Sequence, residues 1–251
     1  MWLLEQLSIR PLGTSWKSNS THFRRIMELI PNLHWFKGLG SNIYLMANDD
    51  GHILVDTGSP WDTNRIYKYF DDHGLDVKAI SVILITHADI DHSGSAAALQ
   101  AASDAKVVAG EKTAELIKLG KSPNHLPRFV QRLADLIHYA AVPEEAIEVV
   151  DNQEFIGSLD GWQAVATPGH CIDHFSYFLH SEGLLFAGDA LYAWGQLDIG
   201  RSFFTGDQDE ARRSAVALLK LAPAVIACGH GPPVMDHMAD ETMLLSRRLQ
   251  S

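Results

Sequence analysis

Residues 86–94 read Thr-His-Ala-Asp-Ile-Asp-His-Ser-Gly, and four side chains able to bind a cation, His87, Asp89, Asp91 and His92, fall within six positions. They follow the run Ala79-Ile80-Ser81-Val82-Ile83-Leu84-Ile85, which reads as a buried strand. The chain reverses where a strand ends. Imidazoles and carboxylates on successive loop residues can therefore converge on one point, which is what a metal ion needs. The same juxtaposition recurs downstream. His170 ends Thr167-Pro168-Gly169-His170 after the strand Trp162-Gln163-Ala164-Val165-Ala166. Asp189 ends Leu184-Leu185-Phe186-Ala187-Gly188-Asp189, and His230 lies between glycines after Ala224-Val225-Ile226-Ala227-Cys228. Upstream, Asp56 closes Ile53-Leu54-Val55. A lone histidine at a strand end is ordinarily a polar surface residue. Donors repeated after apolar runs are a different pattern and predict a metal centre.

Residues 87–92 resemble the histidine-rich signature of the metallo-β-lactamase superfamily, H-x-H-x-D-H, with Asp89 standing where a histidine is usual. Ser41–Met46, Ile53–Gly58 and the three downstream elements resemble that family's motifs in the family's order, over roughly residues 33–235. The resemblance implies an α/β fold, a four-layer αβ/βα sandwich of two mixed sheets flanked by helices. It implies that His87, Asp89 and His170 hold one metal, that Asp91, His92 and His230 hold another, and that Asp189 bridges them. Asp56 becomes a supporting residue, and His174, four residues beyond His170, a second one.

Two cations a few ångströms apart can share a hydroxide, activate it near neutral pH and polarise a substrate oxygen. Asp91 has a further task open to it, orienting the attacking group and carrying a proton to the leaving group. The expected cofactors are two divalent ions. Zinc comes first, and the harder oxygen ligand at Asp89 admits iron or manganese. The flavo-di-iron branch looks similar at this position but carries a flavin domain for which this chain has no room. A di-iron or manganese redox enzyme and a non-catalytic ligand-binding member stand as the alternatives to a hydrolase.

The reaction expected is cleavage of a small ester, lactone or thioester. Asp189-Ala190-Leu191-Tyr192 resembles the spacing of N-acyl homoserine lactonases, in which a tyrosine follows the bridging aspartate by three residues. That resemblance makes Tyr192 a second catalytic candidate, donating to a developing oxyanion. Trp194, Phe203 and Phe204 on the same loop would give an apolar wall. The remaining histidines, His22, His34, His52, His73, His125, His138, His180 and His237, carry no motif and read as surface or packing residues.

A chain of 251 residues suffices for one large domain with a full core. Its net charge of −11 argues against nucleic acid, whose backbone asks for a basic surface. The expected partner is a small-molecule substrate, with a homodimer left open. No run approaches the ~20 apolar residues of a membrane span. Met1-Trp2-Leu3-Leu4 is interrupted by Glu5 before it could serve as a signal core, so the expectation is a cytoplasmic protein. Cys171 and Cys228 read as buried free thiols.

Residues 1–30 are expected to form an N-terminal arm, and 31–251 the domain, with a helical insertion at about 111–145. Strands are expected near 33–37, 41–47, 52–56, 79–85, 105–109, 146–150, 154–157, 162–166, 175–179, 184–187 and 224–227. Helices are expected from Pro60 to Gly74, from Ser93 to Ser103, over most of Glu111–Tyr139, from Asp207 to Leu221 and over 238–249. Leu126, Phe129, Val130, Leu133, Leu136, Ile137 and Ala140 fall at helical spacing. They suggest a helix packed on the core, and one that could also lean over the metal site.

Overall fold

The computed structural model describes residues 26–134 and 136–250. Most of the expected N-terminal arm, including its polar stretch at 13–20, lies outside the described residues. Residues 26–30, also assigned to that arm, belong to the domain instead and form its edge strand.

Seven strands make the first sheet in chain order: β1 (Ile26–Ile30), β2 (Leu33–Lys37), β3 (Asn42–Met46), β4 (His52–Val55), β5 (Ile80–Leu84), β6 (Lys106–Ala109) and β7 (Ile147–Val149). β1 to β4 pair antiparallel, and β4 to β7 pair parallel. The second sheet holds β8 (Trp162–Ala166), β9 (Phe175–Leu179), β10 (Leu184–Ala193), β11 (Leu197–Asp198) and β12 (Val225–His230). It is antiparallel except that β12 runs parallel to β10. The helices are α1 (Thr63–Asp72), α2 (Ile90–Ser93), α3 (Ala96–Ser103), α4 (Glu111–Ile117), α5 (Arg128–Ala134), α6 (Gln208–Leu219) and α7 (Met238–Leu249).

Side chains alternate across a strand, and the alternation sorts the residues into layers. Ile53, Val55, Val82 and Leu84 point inward and meet Trp162, Tyr177 and Phe186 of the second sheet. Leu54 and Ile83 point the other way, onto Ile66 and Phe70 of α1 and Leu99 of α3. On the far side, Leu185 and Ile226 pack against Leu218 of α6 and Leu245 of α7. The result is the four-layer αβ/βα sandwich.

Polar bonds pin the two sheets together beneath the site. The Tyr177 hydroxyl donates to Ile85 O at 2.9 Å, and Phe175 N–H donates to Thr86 O at 2.9 Å. Asn42 Nδ2 donates to Cys228 O at 2.9 Å and to Gly231 O at 2.6 Å, and the Tyr44 hydroxyl donates to Cys228 O at 2.8 Å. Both cysteines are free and buried.

The region after β6 departs most from the sequence reading. Among the described residues only α4 and α5 are α-helical there, and residues 118–127 between them are irregular. Gly120, at φ 61°, ends the first helix, and Pro123 and Pro127 prevent its continuation. Phe129, Leu136 and Ile137, expected on a core-packed face, are exposed. The segment at 154–157 contributes a single bridge, Phe155 to Gln163, rather than a strand. β10 continues past the expected end at 187 to Ala193, with its register broken at Gly188.

Candidate metal centre

The donors gather where both sheets present strand ends. β5 delivers His87 directly. Asp89 then adopts an extended conformation ahead of the single turn α2, so that Asp91 and His92 leave on that turn. Asp91 O accepts a hydrogen bond from the Ser41 hydroxyl, and His92 O accepts from Thr57 N at 2.7 Å. The loop after β8 supplies His170, the irregularity in β10 supplies Asp189, and the last residue of β12 is His230.

All seven residues named from the sequence converge. Asp89 Oδ2 lies 3.4 Å from His87 Nε2 and 3.1 Å from His170 Nε2. Asp189 Oδ1 lies 3.3 Å from His92 Nε2, and Asp189 Oδ2 lies 3.1 Å from His230 Nε2 and 3.8 Å from His170 Nε2. His230 Nε2 is 3.5 Å from His92 Nε2 and 3.8 Å from Asp91 Oδ2. A tetrahedral zinc with bonds of about 2.0–2.1 Å has ligands roughly 3.3 Å apart, so these spacings are those of donors arranged around ions. His87 Nε2 and Asp189 Oδ1 are buried and lack hydrogen-bond partners, as atoms facing an ion would. Burial opposes ionisation of Asp89 and Asp189. The imidazoles of His170 and His87 around the first, and of His230 and His92 around the second, outweigh it and hold both carboxyls well below their usual range. The set therefore fits divalent cations.

A second ring of residues aims the donors. Asp56, at φ 55°, accepts from Thr86 N at 2.8 Å and receives His92 Nδ1 on Oδ2 at 2.8 Å. Thr86 Oγ1 donates to the same carboxylate and lies 3.0 Å from His87 Nδ1. Asp56 thus orients His92 directly and His87 through Thr86, with each Nε2 facing inward. His174 Nε2 accepts the Asp189 N–H at 2.9 Å, which leaves Nδ1 to donate to Thr167 Oγ1 at 2.8 Å. Its support is directed at Asp189. Asp56→Asn should weaken metal affinity about 10–100-fold, the usual cost of an outer partner. Chelator competition measures this, and an unchanged affinity would remove Asp56 from the account.

Tyr192 sits among the donors. It is buried, its hydroxyl donates to Asp189 Oδ2 at 2.5 Å, and it lies 3.3 Å from His170 Nδ1. Its ring stacks on His230 with centroids 5.4 Å apart. The hydroxyl thus meets two residues of the centre, Asp189 and His170. Trp194, Phe203 and Phe204 are exposed.

One histidine beside the centre was missed. His125, read as a surface or packing residue, has Nε2 3.4 Å from Asp89 Oδ2, and its ring centroid is 4.5 Å from that of His170. No ligand motif surrounds it. The only sequence cue was its place in a stretch with prolines at 123 and 127, which had to be a loop rather than a helix. The loop is fastened to the signature. The Tyr139 hydroxyl lies 2.9 Å from Ala88 O, and Ser122 Oγ accepts from Ile90 N at 3.1 Å. Beside the donors, a cavity of about 790 Å³ is lined by His125, Leu126, Pro168, Ile172, Asp207 and Glu210, among others.

The sequence profile of the Metallo-beta-lactamase superfamily matches residues 37–230, which carry every donor described. The chain belongs to the metallo-beta-lactamase superfamily. It is similar to the thioesterase pkgB of Emericella nidulans, 26% identical over 214 residues that span 84% of this chain and 51% of that protein. It is also similar to the hydroxyacylglutathione hydrolase of Idiomarina loihiensis, 28% identical over 73% of this chain and 58% of the relative. The chain thus spans little more than half the length of these two relatives. Among solved structures, the Rm3 metallo-beta-lactamase overlays with a TM-score of 0.69 at 19% identity, covering 90% of this chain and 93% of that one. That likeness shows the fold. Superfamily members bind divalent metal ions, typically zinc. No helix among the described residues is long and apolar enough to cross a membrane.

Proposed function

We propose that this chain is a dinuclear, metal-dependent hydrolase that cleaves a small ester, lactone or thioester, with thioesters favoured. The observation that carries the reading is the convergence of His87, Asp89, Asp91, His92, His170, Asp189 and His230 at tetrahedral-edge spacings, with buried nitrogen and oxygen atoms unpaired. His87, Asp89 and His170 would hold one ion, Asp91, His92 and His230 the other, and Asp189 would face both. When bound, the ions would activate a water near neutral pH and polarise the scissile carbonyl. Zinc is the metal favoured by an imidazole-rich donor set.

The chain's own residues do the rest. Asp91 is the most exposed carboxylate of the set, which leaves it accessible to pass a proton to the leaving group. Tyr192 holds Asp189 in place from behind, and His170 Nδ1 bears on the same hydroxyl. The cavity at His125 and Ile172 has the size of a small-molecule site. Thioesters are favoured because pkgB and the hydroxyacylglutathione hydrolase are named for that chemistry. The test is a screen of the zinc-loaded protein against thioesters, carboxylic esters, lactones and phosphodiesters. Turnover of an acyl substrate, abolished by chelation and restored by zinc, is expected. Turnover confined to phosphodiesters would overturn the reading.

A further inference from the structure

The second position of the signature holds a carboxylate in place of an imidazole, and the structure puts an imidazole back from elsewhere. Around Asp89 Oδ2 stand three ring nitrogens: His170 Nε2 at 3.1 Å, His87 Nε2 at 3.4 Å and His125 Nε2 at 3.4 Å. The first two belong to the centre already assigned. The third arrives from the irregular segment between α4 and α5. The side chain of His125 is only 4% exposed, and neither of its ring nitrogens has a hydrogen-bond partner. Buried ring nitrogens are normally paired, and one left unpaired beside a carboxylate and another imidazole points to a partner of a different kind. One donor atom each from Asp89, His125 and His170 falls within 4.8 Å of the others, close enough to share one ion.

We propose that His125 is a ligand of the first metal position, supplied by the insertion to replace the imidazole that the signature lacks at Asp89. The proposal rests on the dinuclear reading above. It gives the position three imidazoles, from His87, His125 and His170, together with the Asp89 carboxylate. That set restores the nitrogen-rich surroundings that suit zinc and offsets the pull of Asp89 toward harder metals. A histidine that merely lined the cavity would affect substrate affinity and leave metal affinity alone, so the two roles are separable.

The test uses the full chain stripped of metal and titrated with Zn²⁺ against a chromophoric chelator, with Co²⁺ absorption spectra as a second readout. His125→Ala and His125→Gln should each weaken one of the two ions by more than about 10²-fold, beyond the cost of losing an outer partner. The other ion should be retained, and the far-ultraviolet circular dichroism should be unchanged. In the Asp89→His/His125→Ala double variant, the imidazole returns at position 89 and most of the lost affinity should return with it. Wild-type affinity for both ions in the two single variants would overturn the proposal, as would a double variant no tighter than His125→Ala. A wild-type chain that takes up no zinc would overturn the dinuclear reading instead.

Discussion

Asp91→Asn should lower turnover of the acyl substrate by about 10²-fold or more, the scale of a positioned acid–base group. The substitution is nearly isosteric, so packing should survive. Asp91 Oδ2 lies 3.8 Å from His230 Nε2, and its side chain is 30% exposed, the most open of the carboxylates in the set. Asparagine can neither carry a proton at neutral pH nor supply an anionic oxygen. Steady-state kinetics on zinc-loaded protein, with metal content measured on the same sample, separates the two losses. A fall in activity with two ions still bound assigns proton transfer to Asp91, and one with an ion missing assigns ligation. Full activity in the variant would contradict both roles.

Gly229→Ala should have an effect of similar size from a residue that does no chemistry. A Cβ at position 229 would lie 2.1 Å from Asp189 Oδ1 and 2.8 Å from His92 Cε1. Neither neighbour can easily retreat. Asp189 is held by Tyr192 at 2.5 Å, and His92 is held by Asp56 at 2.8 Å. One or both donors must therefore shift, and a displacement on the order of 1 Å at a reacting centre can cost 10²-fold. Overpacking should also lower stability by about 1–3 kcal/mol. Thermal melting and metal analysis check both. Wild-type metal content and activity in this variant would show that the donors are not held as tightly as described.

What could be read from the sequence tracks how local its cause is. Strands β4 and β5 were legible because Ile53-Leu54-Val55 and Val82-Ile83-Leu84 are continuous apolar runs, as a strand buried on both faces requires, and the donors at their ends follow in sequence. Pro60 marked the start of the helical segment that leads into α1, where Asp62 Oδ2 accepts from Ser59 N at 3.0 Å and from Ser59 Oγ at 2.7 Å. The exact span 238–249 of α7 was likewise legible. The insertion was misread because apolar residues at helical spacing were weighed above Gly120, Pro123 and Pro127. Backbone chemistry wins there, and Phe129 and Leu136 end up in solvent. Asp189 was placed at a strand end, whereas Gly188, at φ 51°, lets the strand run on through an irregularity. His125 could not have been found from spacing. It lies 33 residues beyond His92 in the sequence, and only the folding of the loop onto Ala88 and Ile90 brings it to Asp89. The engagement of Tyr192 by Asp189 is similarly a matter of tertiary geometry.

The most direct test of the central claim is metal stoichiometry. Protein expressed in metal-replete medium without added zinc, dialysed and analysed by inductively coupled plasma mass spectrometry, should carry close to two ions per chain, mainly zinc. A folded protein with a stoichiometry near zero would contradict the metal centre itself, and a stable value near one would contradict its dinuclear character.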